Sequence, residues 1–166
     1  AANTGPNGTN LTMLVDNDGS KVSINGDVNV TATDIIGKNG VIHVVDKVIM
    51  PLNIVGHAAA NSNFSELVGA LGAANGDLVS VLSGEGPFTV FAPLNSAFEA
   101  ISDVVAGLNA DQLAAVLTYH VVSGNVLSTD LSDGITVTSV NGEPFTVNIS
   151  GSGVTITDAQ GGTATV

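Results

Sequence analysis

Cysteine is missing from this chain, so neither disulfides nor thiol chemistry can brace it or drive a reaction. Cations are nearly as scarce: Lys21, Lys38 and Lys47 face 15 carboxylates, for a formal net charge of −12. Binding nucleic acid requires clustered Lys and Arg against phosphates, and no such cluster exists, so no nucleic-acid partner is expected. The same deficit disfavours docking on anionic lipid, and no apolar run approaches the roughly 18 residues of a membrane span. No direct membrane insertion is expected. Aromatics make up only 4 % of residues, so the interior must be filled by Val, Ile, Leu and Ala. Signatures of catalysis are missing too: there is no Gly-x-Ser-x-Gly elbow, no phosphate loop and no His-Glu-x-x-His. Gly84-Glu85-Gly86 is too short for a nucleotide fingerprint and reads as a turn. The chain therefore reads as a non-enzyme that needs no cofactor.

What is present is enough for a core. The 166 residues are 44 % apolar, which is too high for a disordered chain. No signal peptide is visible, and the start at Ala1 without Met reads as a processed or excised piece. Short β-type runs at Leu11–Val15, Val22–Ile24 and Val28–Val30 are separated by Asp16-Asn17-Asp18-Gly19 and Asn25-Gly26, both turn formers. Val41–Met50 is longer and apolar on both faces, which predicts a strand covered on both sides and ended by Pro51. Helical spacing follows: Asn63 as a cap, then Phe64, Leu67, Val68 and Leu71, with Glu66 in the first turn and Gly72 as terminator. Asp77 opens a shorter helix with Leu78, Val81 and Leu82. Asn109 and Gln112 form a capping pair before Leu113, Val116 and Leu117. Phe88–Ala92 reads as a strand closed by Pro93, followed by a turn capped by Asn95. The last third returns to strands at Ile135–Val140, Phe145–Ile149 and Val154–Thr157, the first two joined by Asn141-Gly142. Helices grouped between blocks of strands predict an α+β fold.

An internal repeat reorganises this picture. Leu11–Val30 (LTMLVDNDGSKVSINGDVNV) resembles Phe145–Val166 (FTVNISGSGVTITDAQGGTATV). Val22 aligns with Val154 and Val30 with Val166, which requires a few inserted residues in the second copy.

Three segments resemble the fasciclin domain family. Phe88–Phe98 (FTVFAPLNSAF) is similar to its opening signature, Leu117–Val122 (LTYHVV) to its tyrosine–histidine motif, and Asn39–Pro51 (NGVIHVVDKVIMP) to its closing signature. The order is inverted, with the closing signature first. The resemblance therefore implies that residues 1–51 finish one fasciclin repeat and 52–166 begin the next, which would lack its final strand. The implied fold is a twisted β-structure with several short packed helices, assembled in permuted or strand-swapped order. Expected core residues are Phe64, Leu67, Leu71, Phe88, Val90, Phe98, Ile101, Leu113, Val116 and Leu117, completed by Val44 and Val48. An assembly strand of Val41, Ile42, Val44, Val45 and Val48 would fill the slot beside the Phe88 strand, in its own chain or in a neighbour's.

Functional residues are few. In animal members the resemblance associates Tyr119 and His120 with receptor binding, and this is the carried-over binding site. A locally hydrogen-bonded pair that orders the helix end is the favoured structural reading. His43, between Val41 and Val45, reads as a satisfied core or edge histidine, and His57 as exposed in an Ala/Gly-rich linker. With isolated histidines and no Cys, no metal site is expected. Asp16-Asn17-Asp18-Gly19-Ser20 mimics the start of a calcium loop, but position twelve is Asp27 rather than Glu, so a hairpin turn is expected. Asn7, Asn10, Asn29, Asn63 and Asn148 begin Asn-x-Ser/Thr triplets, from which no location is drawn. The resemblance implies an extracellular or cell-surface module (or a periplasmic one) for adhesion or matrix attachment. Its partners would be a protein or polysaccharide surface ligand and neighbouring fasciclin repeats, including self-association. The alternative is a structural repeat that builds a fibre or stalk head to tail by exchanging strands.

Overall fold

The computed structural model describes residues 11–151 and 153–166. The triplets beginning at Asn7 and Asn10, and Ser152 of the Gly-Ser-Gly turn, fall outside this range in whole or in part. The chain divides into two compact units, one ending at Ser65 and the other running Glu66–Val166.

In the first unit, β1 (Val15–Asn17), β2 (Val22–Ile24), β3 (Val28–Gly37) and β4 (Gly40–Val45) make an antiparallel sheet in the order β1-β2-β3-β4. The Asp-rich segment is the β1–β2 turn. Asn17 Oδ1 accepts the Gly19 N–H at 2.9 Å, and Asp18 Oδ1 accepts those of Ser20 and Lys21, both at 2.8 Å. These donors hold the Asp18 carboxyl below its usual range. The next turn is held by Asn25, which is buried at φ 54°. Its Oδ1 accepts the Leu14 N–H at 3.0 Å, and its Nδ2 donates to the Met50 carbonyl at 3.0 Å. Gly26 follows at φ +74°, where an added Cβ would lie 3.0 Å from that of Ala60. A side chain is excluded there by both conformation and space. Ala60 caps the end of α1 (Ile54–Ala59), a helix set in the stretch expected to be a linker. Asn53 starts it by accepting the Gly56 N–H at 2.8 Å, and His57 is half-buried rather than exposed.

Strand limits in this unit depart from the sequence reading. Leu11–Leu14 lies outside β1, β3 runs on to Gly37, and β4 stops at Val45 where Asp46 and Lys47 bend the chain. At that bend Asp46 clamps Asn29, accepting its N–H at 2.8 Å and its Nδ2 at 2.6 Å, and Lys47 pairs with Asp27. The larger correction concerns burial. The segment expected to be covered on both sides is in water: Val44 is 40 % exposed and Val48 79 %. Its one sheet neighbour among the described residues is β3.

The second unit carries all but the first residue of α2 (Ser65–Ala73), then α3 (Leu78–Ser83), β5 (Phe88–Val90), α4 (Asn95–Ala100), α5 (Ser102–Gly107), α6 (Ala110–Tyr119) and β6 (Val121–Ser123). β7 (Ile135–Thr138), β8 (Pro144–Ser150), β9 (Gly153–Thr157) and β10 (Thr163–Thr165) follow. These last four form an antiparallel sheet in the order β7-β8-β9-β10, and β5 pairs with β6. The Asn109–Gln112 capping box is formed as expected at the start of α6, an arrangement that contributes about 1 kcal/mol. Asn63 is not a cap: a 3₁₀ turn over Ser62–Phe64 precedes α2, and Asn61 caps it. Asn95 is the first residue of α4, and its Oδ1 accepts the Glu66 N–H at 3.0 Å. Asp77 precedes α3 in the left-handed region without a side-chain cap bond.

The core of this unit is Val122, Phe145 and Val147, with Phe91, Tyr119 and Ile156 packed against it. Leu67, Leu71 and Leu117 are buried as expected, and Phe64, Phe88, Val90, Phe98 and Leu113 are half-buried. Ile101 and Val116 are exposed instead. Ile101 sits at the break between α4 and α5, and Val116 lies on the open side of α6, which buries its Leu117 face.

The internal repeat is real at the level of hydrogen-bond register. In the first unit Val15 pairs with Ile24 and Asn17 with Val22; in the second, the equivalent Val147 pairs with Ile156 and Ile149 with Val154. Ile24 then pairs with Val28 across a tight turn, and Ile156 with Ala164 across a longer one. The extra residues of the second copy therefore lie in the β9–β10 turn. There Asp158 Oδ1 gathers the N–H groups of Gln160 and Gly162 at 2.9 and 2.7 Å.

Candidate functional site

Tyr119 and His120 are placed by the end of α6. Thr118 turns its hydroxyl back onto the Ala114 carbonyl at 2.7 Å, and His120 closes the helix as C-cap. His120 Nδ1 lies 2.8 Å from the Val116 carbonyl. A carbonyl only accepts, so the proton of the neutral ring is on Nδ1, leaving Nε2 as the acceptor. The His120 carbonyl accepts the Phe91 N–H at 2.9 Å, which ties the helix end to the chain leaving β5.

Tyr119 points along the β7–β8 hairpin and donates its hydroxyl to the Pro144 carbonyl at 3.1 Å. Its ring meets Phe145 edge to face at 5.8 Å between centroids, and Phe145 meets Phe91 in the same way at 5.3 Å. Such edge contacts suit the ring quadrupole and add about 1 kcal/mol to simple burial. Burial raises the Tyr119 phenol above its ordinary value of 10.0. The negative charges of Asp158 and Glu143 add to the rise, and a hydrogen bond from the Ala159 backbone opposes it.

Around this pair lies an open cleft of about 740 Å³ within the second unit. Phe91, Leu94 and Ala97 form one wall, Tyr119, Phe145 and Ile156 the floor, and Thr163 to Val166 the far rim. Asp158, His120 and the Tyr119 phenol are among its titratable groups. The arrangement suits an apolar ligand surface with one cationic contact. Among the described residues no three His, Asp or Glu side chains gather as they would around a metal ion.

The sequence points to Tyr119 and His120 but not to Phe145, Asp158 and Asn141 as their neighbours. Asn141 reads as a turn residue, yet its Nδ2 also donates to the Ala115 carbonyl at 3.2 Å, anchoring the hairpin on α6. Distances of this kind between remote segments leave no trace in local spacing.

The other expected site is separate. Val41, Ile42, Val44, Val45 and Val48 stand in or just beyond β4, all exposed except Val45, which is half-buried. His43 accepts the Asp34 N–H weakly at 3.4 Å through Nδ1, as an edge histidine.

The sequence model of the Fasciclin domain matches residues 2–51 and 62–166. The chain belongs to the fasciclin domain family. Protein sll1483 of Synechocystis sp. is 45 % identical over 103 residues, covering 59 % of this chain and 56 % of that protein. Human periostin is 30 % identical over 142 residues, covering 82 % of this chain and 16 % of periostin. The chain thus spans about half of the first relative and a small part of the second. Among solved structures, a FAS1 domain pair from the insect cell adhesion molecule fasciclin I aligns with a TM-score of 0.56 at 18 % identity. That alignment covers 88 % of this chain and 57 % of the other, and it fixes the fold as the α+β fasciclin type. No helix among the described residues is long and apolar enough to cross a membrane.

Proposed function

We propose that this fasciclin chain is a non-enzymatic attachment module working at the cell surface, outside the cell or in the periplasm, by binding a protein or polysaccharide surface. The observation that carries this reading is the open cleft at Tyr119 and His120, in a family that includes an insect cell adhesion molecule. The cleft offers apolar area for contact. The net charge of −12 supports solubility in a crowded surface layer and selects against anionic partners. The decisive experiment is binding of the chain to immobilised matrix or whole cells. Saturable, competable binding that Leu94→Asp weakens at least tenfold is the expected result. Leu94 is exposed on the cleft wall, so this substitution leaves the fold in place. Binding that does not saturate, or ignores Leu94→Asp, would refute the reading.

A second reading is favoured by a different observation, the uncovered apolar hairpin of β3 and β4. Here residues 1–51 finish one repeat and 52–166 begin the next, and strands pass between repeats to build a fibre or stalk. The two separate stretches matched to the family and the in-register repeat of β1-β2-β3 in β8-β9-β10 support it.

A further inference from the structure

We propose that Asn39, at the turn between β3 and β4, is a self-modifying residue. It converts to isoaspartate and aspartate while the other Asn-Gly pairs among the described residues are held intact. Asparagine is a thermolabile residue, and a following glycine leaves its side chain open to attack by the next backbone nitrogen. The Gly40 nitrogen gives up its proton to base and bonds to Asn39 Cγ. The Cγ–Nδ2 bond breaks, and Nδ2 leaves as ammonia. Water then opens the resulting cyclic imide at either carbonyl. Opening at the backbone carbonyl gives isoaspartate, with the chain rerouted through the side-chain carbons; opening at the former side-chain carbonyl gives aspartate. Only solvent water is consumed, and no electrons change hands.

Four Asn-Gly pairs lie among the described residues, beginning at Asn25, Asn39, Asn75 and Asn141. Three of them have tethered side chains. Asn25 is buried, with Oδ1 on the Leu14 N–H and Nδ2 on the Met50 carbonyl, both at 3.0 Å. Asn75 Nδ2 donates to the Asp111 carboxylate at 2.7 Å. Asn141 Oδ1 accepts the Ser139 hydroxyl at 2.6 Å and the Glu143 N–H at 2.9 Å, and its Nδ2 donates to the Ala115 carbonyl. The nitrogen that would attack it, that of Gly142, already donates to the Ser139 carbonyl at 3.0 Å. Asn39 differs on both counts. It is exposed, and its side chain makes no hydrogen bond among the described residues. Its Gly40 nitrogen belongs to the Gly37–Gly40 pair, the last rung of the ladder, formed by two residues without side chains. End rungs open readily, whereas each bond that must break first lowers the reactive fraction by roughly threefold to tenfold.

The test ages the folded chain in warm, mildly alkaline buffer and reads each site by peptide mass. Trypsin, cutting after Lys38, parts Asn25 from Asn39, and cleavage after Glu85 and Glu99 parts Asn75 from Asn141. Fragmentation of the peptides locates the mass gain and distinguishes isoaspartate from aspartate. Asn39 is expected to convert about tenfold faster than each of the other three. In concentrated urea the four rates should converge, because the contacts that hold Asn25, Asn75 and Asn141 are gone. Gly40→Ala should slow Asn39 about tenfold by crowding the attacking nitrogen. An added Cβ there meets nothing within 4 Å, so the substitution keeps the fold. Conversion of Asn39 no faster than that of Asn25, Asn75 and Asn141 in the folded chain would overturn the inference. So would a spread of rates that survives urea, since the selection would then lie outside the fold.

Discussion

Two three-stranded meanders in this chain share one hydrogen-bond register and differ sharply in the burial of their first strand. Val15 in β1 corresponds to Val147 in β8, yet the first is 58 % exposed and the second fully buried. Met13, 58 % exposed, corresponds to Phe145, at 3 %. Strand pairing is therefore written locally, in Gly and Asn turns and short β-branched runs, and does not need a core. Burial is supplied by neighbours. β8 is flanked by β7 and covered by the α6 end, whereas β1 is an edge strand. The first meander continues into the β3–β4 hairpin.

The sharpest way to break this comparison is to truncate the same position in both copies. Phe145→Ala should cost the second unit about 3–5 kcal/mol, through lost burial and a cavity beneath Tyr119. Met13→Ala should change stability by less than about 0.5 kcal/mol. Urea unfolding followed by tyrosine fluorescence reads the Phe145→Ala cost in the second unit, because Tyr119 is the only tyrosine and there is no tryptophan, and amide hydrogen exchange of β2 and β3 reads the Met13→Ala cost in the first. Equal costs at the two positions would mean that the segment leading into β1 is buried after all.

The next effect runs the other way, since Asn25 matters more than its counterpart. Asn25 is buried and bonds both Leu14 and Met50, holding the segment after β4 onto the meander. Thr157 is the equivalent residue of the second copy, and it receives only an Asn148 side-chain bond at 2.9 Å. Asn25→Ala leaves the Leu14 N–H without its acceptor and strains a positive φ, at a cost of about 2 kcal/mol. Thr157→Ala should cost about half that. Amide hydrogen exchange of β2 and β3, and separately of β9, measures the two.

How much is legible in the sequence follows the same divide. The family, the α+β class, the Asn109–Gln112 box, the Val22–Ile24 strand and the repeat offset can all be read, because each rests on contiguous residues or a fixed spacing. Asn63 looks like a cap and is not one, because Asn61 offers the same chemistry two residues earlier and wins by forming a 3₁₀ turn first. Helix α1 is hidden by its Ala, Gly and His composition, and Asn53 is the one cap signal that betrays it. The apolar run at Val41–Val45 reads as covered because alternation cannot distinguish a strand with two covering layers from one with none. The Tyr119–Phe145–Phe91 cluster is beyond reach: it joins a helix end, a hairpin and a strand exit that no local pattern relates.

A smaller effect tests whether the second unit shields its site. The Tyr119 phenol is raised by burial first and by Asp158 and Glu143 after it, so its midpoint in the folded chain lies above 10. The folded state then holds the proton more firmly than the unfolded chain. The stabilisation is complete below the unfolded value near 10 and is lost as pH rises through the higher folded one. A spectrophotometric titration of the single tyrosine should show that displaced midpoint, and Glu143→Gln should bring it part of the way back. A midpoint at the free-tyrosine value would place the ring in water and remove the floor of the cleft.

The smallest effect belongs to the first unit, at the clamp where β4 ends. The Asn29 side chain and then its backbone N–H donate to Asp46, holding that carboxyl below its ordinary 3.8. The corresponding residue beside β9 is Thr165, a hydroxyl side chain in place of the amide. For a depressed carboxyl the sign is opposite to that of the phenol. Its contribution is present above the unfolded value near 3.8 and disappears as pH falls through the lower folded one. Because the clamp is solvent-exposed, the stability at stake is slight, but the midpoint itself is measurable. Carbon-detected NMR titration should find Asp46 titrating below 3.8, and Asn29→Ala should return it toward the free value while leaving Asp18, held by its own turn, where it was. If Asp46 titrates normally in the parent chain, the clamp on Asn29 is not formed and the bend that ends β4 is open.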